Sequence, residues 1–125
     1  MSNVVTFTAD LMFGSRISGA AERIGVGDLM ISTASALKQT LDAGDVGLVL
    51  VDMAMPEAAA RDAITAAATH DSKPATIAYF SHVQTELRDA AIAAGAHEAM
   101  PRSQFVQVLP KLLAQHCLKS QHDTR

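Results

Sequence analysis

At 125 residues, this chain is long enough for one domain, and 49% hydrophobic residues suffice for a core that needs no disulfide or structural metal. A formal net charge of −3 without blocks of like charge argues against nucleic acid or an anionic membrane surface as a partner. A single cysteine, Cys117, excludes an intrachain disulfide. There is no basic-then-apolar leader and no apolar run near the roughly 20 residues that span a bilayer, so a cytoplasmic domain is expected. Aromatics are 4% and Trp is absent, which leaves Ala, Val, Leu, Ile and Met to build the core.

Val4 to Thr8 reads as a first strand, with Asp10 directly behind it. Leu11 to Ile24 has helical spacing, with Ile17, Ala20, Ala21 and Ile24 on one face, and Gly25 and Gly27 end it. A short second strand lies within Asp28 to Ser32; Ser32 or Thr33 caps a helix that runs to Ala43 and stops at Gly44. Val46 to Val51 is the third strand, an unbroken branched apolar run that ends at Asp52 and is closed by Pro56. The Ala-rich segment from Glu57 to His70 has high helix propensity. A turn at 71–74 leads to a fourth strand, Thr76 to Phe80, and a helix from Thr85 to Ala94 that Gly95 terminates. Glu98 to Met100 is a fifth strand. The last helix starts near Ser103, carries Pro110 inside its apolar pattern, and gives way to a polar tail from 115 to 125.

Five strands alternating with helices predict an α/β, doubly wound fold over residues 1–114: a parallel sheet covered on both faces. A third strand without polar interruption is what burial on both faces demands. In such sheets ligands and chemistry gather beyond the carboxyl ends of the strands, which is where Asp52 and Asp10 fall.

The run Leu48-Val-Leu-Val-Asp52-Met-Ala-Met-Pro56, together with Asp10, Arg16 and Ile17 after the first strand and Ala93-Ala-Gly-Ala96 before the fifth, resembles the receiver domain of two-component response regulators, the CheY-like family. The likeness covers roughly Val4 to Leu113. It implies a flavodoxin-like three-layer sandwich with strand order 2-1-3-4-5 and Asp52 as phospho-acceptor; no nucleophile–base pair can be assembled from the sequence, so no enzymatic turnover of its own is expected. Magnesium would be the cofactor of an active site of this kind, because a carboxylate attacking a phosphoryl group needs its charge neutralised. The resemblance assigns magnesium to Asp10, Asp52 and the Ala54 backbone carbonyl, the hydroxyl role to Ser81 with Phe80 competing for the register, and the cationic role to Arg102.

Against the receiver pattern, Ala9 stands where an acid belongs, Arg102 where Lys belongs, and Ala99 where an aromatic belongs on the fifth strand. Arg is longer and forked, so that exchange alters a tight pocket. The bland readings are a turn-capping Asp52, a helix-capping Asp10, and an Arg102 that pairs with Asp52 directly and closes the site. His70, His82, His97, His116 and His122 show no metal-ligand spacing, and Cys117 has no activating neighbour. The expectation is a stand-alone receiver-like signalling domain with a degenerate acceptor site, a pseudo-receiver. Its partner would be a histidine kinase or other signalling protein, or a second copy of itself in a homodimer. The alternative is a small-molecule, nucleotide or flavin binding module, for which Thr8-Ala-Asp-Leu-Met-Phe-Gly-Ser15 makes a poor phosphate cradle.

Overall fold

The computed structural model describes residues 2–81 and 85–118. Its elements are β1 (Asn3–Phe7), α1 (Leu11–Arg23), β2 (Asp28–Ile31), α2 (Ala34–Ala43), β3 (Val46–Asp52), α3 (Glu57–Thr69), β4 (Ala75–Phe80), α4 (Thr85–Ala94), β5 (Glu98–Pro101) and α5 (Arg102–Leu113). The five strands form one parallel sheet in the order β2-β1-β3-β4-β5. The alternating expectation is met element by element, with boundaries moved by one or two residues.

Period-two side-chain alternation divides the core. Val5, Phe7, Val49, Val51 and Ala78 face one way, onto Leu37 and Leu41 of α2, Ile64 of α3 and Ala91 of α4. Val4, Leu48, Leu50, Ile77 and Tyr79 face the other way, onto Phe13 and Ile17 of α1 and onto Phe105, Leu109 and Leu113 of α5. Leu48 to Val51 are all fully buried, as a strand covered on both faces requires. Helix ends follow local chemistry. Asp10 caps α1 by accepting from the Phe13 N–H, and Thr33 caps α2 by accepting from Ala36, resolving the choice between Ser32 and Thr33. Away from these caps, His70 ties α3 to α2: its Nε2 lies 2.9 Å from Asp42 Oδ1 and its Nδ1 2.8 Å from Ser72 Oγ. Hydrogen bonds from His70 and Lys38 hold the Asp42 carboxyl below its ordinary range.

The expected polar tail does not begin at 115 in the structure. Beyond Pro110, which lies exposed within α5, Ala114–Leu118 continues as a π-helical turn with Cys117 fully buried. The Cys117 carbonyl accepts from the Ser2 N–H at 2.8 Å, tying the turn to the start of the chain. Gly47 in β3 permits the approach, since a Cβ there would collide with the His116 carbonyl oxygen and the Ser2 side chain. Burial pushes the Cys117 thiol up to about 11 from an ordinary 9.0. Stability from this group is complete below pH 9 and is lost as pH rises toward 11, where only the unfolded thiol ionises. At pH 8 the native thiol is therefore expected to react with a disulfide reagent far more slowly than the urea-unfolded chain. Equal rates would show that the turn is not docked.

Candidate functional site

The two central strands end side by side, and the strand order reverses there, which opens a crevice at their carboxyl ends. Three junctions supply its residues. The turn between β1 and α1 brings Thr8, Ala9 and Asp10, the end of β3 brings Asp52 with Ala54 behind it, and the start of α5 brings Arg102. Ala9, Asp10, Asp52, Ala54, Met55 and Arg102 line a depression of about 260 Å³.

Asp52 is only 3% exposed, so its charge must be met by donors within the protein. Its Oδ2 accepts from the Thr8 hydroxyl at 2.7 Å and its Oδ1 from the Ala54 N–H at 2.8 Å. The Thr8 oxygen in turn accepts from the Asp10 N–H at 3.0 Å, so one buried hydroxyl links both acidic residues. Asp10 is half-buried: Oδ1 caps α1 at 3.0 Å from Phe13 N, and Oδ2 faces Arg102 Nη2 at 3.7 Å. Asp10 therefore serves as the helix cap and lies at the site as well.

The alternative of a direct pair between Arg102 and Asp52 is not what forms. Arg102 pairs with Asp10: its guanidinium sits over the Phe13 ring, 4.4 Å from the centroid, with Nη2 toward the β1–α1 turn. The distance is too long for a hydrogen bond. Arg102 Nε is buried and has no hydrogen-bond partner among the described residues, and the same holds for the Tyr79 hydroxyl. Tyr79 lies in register with Asp52 on β4, and its ring stacks on Phe105 at 4.7 Å and meets Phe13 at 5.0 Å. Burial, and then the Asp52 charge, push the Tyr79 hydroxyl well above the ordinary tyrosine range against weaker opposing effects of Thr8 and Arg102. It stays protonated at any physiological pH.

The remaining candidates fall around this centre. Ser81 is exposed just past β4 and lies outside the depression over Asp52, on a neighbouring groove that it shares with Arg102. Phe80, the competitor for its register, is the buried last residue of β4. Ala99 is buried on β5 opposite Ala78. His97 Nδ1 accepts from the Thr76 N–H at 3.0 Å, a structural role. His82 and His122 lie outside the described residues. Among the described residues no cluster of three or more His, Cys, Asp or Glu could hold a metal, and no helix is long and apolar enough to cross a membrane. In the β1–α1 turn Asp10 already takes the Phe13 N–H, one of the amides a flavin phosphate would use. Thr8, Tyr79 and Phe13 were not among the sequence candidates. Only the position of Thr8 two residues before Asp10, at a strand end, could have singled it out.

No family model matches the sequence, and no curated protein matches it significantly. Solved structures do match its backbone. The signal receiver domain of a DNA-binding response regulator from Colwellia psychrerythraea superposes with a TM-score of 0.78 at 14% identity, covering 97% of this chain and 100% of that one. A receiver protein from Burkholderia phymatum gives 0.75 at 18% identity, over 94% and 95%. A chain of the Saccharomyces cerevisiae co-crystal of the histidine phosphotransfer protein Ypd1 with the receiver domain of Ssk1 gives 0.80 at 9%, over 98% and 93%. The fold of this chain is that of the response-regulator receiver domains.

Proposed function

We propose that this protein is a receiver-type module of a two-component phosphorelay, with a degenerate acceptor site centred on Asp52, and that it signals through protein–protein contact. The observation that carries this reading is the Arg102 guanidinium, laid on Phe13 and paired with Asp10 at 3.7 Å. A fixed cation thereby occupies the surroundings of the acid that a receiver would use for its metal. Asp10, Asp52 and the Ala54 carbonyl are hard oxygen donors of the kind magnesium takes, and when bound it would offset the charge of carboxylate and phosphoryl group. Here Ala9 contributes no further acid, and Arg102 competes for Asp10. The two carboxylates and one guanidinium leave a formal charge of only −1 to attract a divalent ion.

Asp52 is also engaged on both oxygens, one of them turned into the protein wall toward Thr8. In an active site of this kind Asp52 would be the nucleophile and Arg102 the phosphoryl-binding cation, while Ser81, outside the depression over Asp52, would have to move to serve as the hydroxyl partner. A histidine kinase or a histidine phosphotransfer protein is the class of partner that the fold suggests in either case.

Incubation with magnesium and acetyl phosphate, read by intact mass with and without Asp52→Asn, tests the proposal. No phosphate-sized gain is expected, and beryllofluoride is expected to leave the amide NMR spectrum unchanged. A gain that Asp52→Asn abolishes would overturn the degenerate reading in favour of an active receiver.

A further inference from the structure

Arg102 is a wall of two cavities. One is the depression over Asp52; the other is a groove of about 540 Å³ between α1 and α5, lined by Phe13, Arg16, Ser81, Arg102, Ser103, Val106 and Gln107. That volume lies in the usual range for small-molecule sites, roughly 300–1,000 Å³. Its lining combines two guanidinium groups, two serine hydroxyls and an amide with the apolar Phe13 and Val106, and no carboxylate among the described residues belongs to it.

Neither cation has its hydrogen-bond donors met among the described residues. Arg16 is exposed and has no carboxylate within 4 Å among the described residues. Arg102 makes no hydrogen bond among them, its Nε is buried without a partner, and its ion pair with Asp10 is long at 3.7 Å. The first turn of α5, which begins at Arg102, has no side-chain cap on its amides. Unmet donors of three kinds thus border one groove.

The geometry points to this groove as a binding site for a small organic phosphate. Its phosphate would bridge Arg16 and Arg102 near the start of α5, and its flat or apolar body would lie along Phe13 and Val106. Guanidinium groups suit such an oxyanion because they offer paired, planar donors. The groove is distinct from the Asp52 depression, with Arg102 as their shared wall, and its proposed ligand needs no phosphorylation of Asp52. Because Arg102 serves both cavities, anion binding in the groove competes with the Asp10 pair, and weakening that pair strengthens binding.

The test is an amide NMR titration of the unphosphorylated, magnesium-free protein with phenyl phosphate at low salt, alongside inorganic phosphate. Saturable shifts are expected at Arg16, Arg102, Ser103 and Gln107, with inorganic phosphate binding more weakly. Arg16→Gln is expected to weaken phenyl phosphate by about tenfold, the scale of one charge-assisted hydrogen bond. Asp10→Asn, which retains a good helix cap, is expected to strengthen it. Absence of saturation, unchanged affinity in Arg16→Gln, or shifts centred on Asp52 and Ala54 would overturn the site. Inorganic phosphate binding as tightly as phenyl phosphate would overturn the ligand class. Since magnesium is absent and phenyl phosphate is an unactivated ester that does not phosphorylate a carboxylate under these conditions, failure here is distinguishable from failure of the acceptor-site proposal.

Discussion

Phe105→Ala is expected to destabilise the fold by about 3–5 kcal/mol, the usual cost of emptying a buried phenylalanine site. Phe105 is fully buried, stacked at 4.7 Å on Tyr79 and 6.1 Å from Phe13. With four Phe and one Tyr in the chain, these three rings hold most of its aromatic surface, and Phe13 and Tyr79 are held by their own contacts in the cluster. Natural domains hold only about 5–15 kcal/mol in all, so this single truncation consumes a large share. The loss extends to the site, because the Phe13 ring that supports Arg102 rests on the same cluster. Urea denaturation checks it, with Ile92→Ala as control; Ile92 is 45% exposed and its truncation should cost within about 0.5 kcal/mol. Equal midpoints for the two variants would show that the aromatic cluster does not hold the α1–α5 face together.

Thr8→Val is expected to cost about 2–4 kcal/mol, although it barely changes side-chain volume. The Thr8 hydroxyl donates to the buried Asp52 carboxylate and accepts from the Asp10 N–H, so valine leaves both groups short of a partner. Hydrogen bonds to charged groups contribute about 1.5–3 kcal/mol, and a buried polar group left unpaired adds its own penalty. Thr8→Ser keeps the hydroxyl and should recover most of the loss. A double-mutant cycle of Thr8→Val with Asp52→Asn isolates the coupling, which is expected to be well above zero for residues in direct contact. A Thr8→Val variant as stable as the parent would mean that Asp52 is satisfied in some other way.

Much of the architecture follows from local pattern. The unbroken run Leu48 to Val51, the helical spacing of Ile17, Ala20 and Ala21, and the stop signals at Gly44 and Gly95 each report on a short window, and each reappears in the structure. Asp52 and Asp10 were legible for the same reason, because both mark a strand end, and strand ends in a parallel sheet define the crevice. The end of the chain was less legible. Polar residues such as Gln115 and His116 suggest a tail, yet Cys117 is buried because β3 offers a glycine surface at Gly47 for the turn to approach.

By itself, then, the sequence determined the order of elements, the doubly covered sheet and the address of the two acids, since periodicity and capping act over a few residues. Only the tertiary structure decided how the acids are satisfied. The Thr8–Asp52 hydrogen bond spans 44 positions, and the Arg102–Asp10 pair joins opposite ends of the chain. Such pairs leave no local signature: they depend on which strands neighbour each other and on the ring of Phe13, over which the guanidinium that pairs with Asp10 sits.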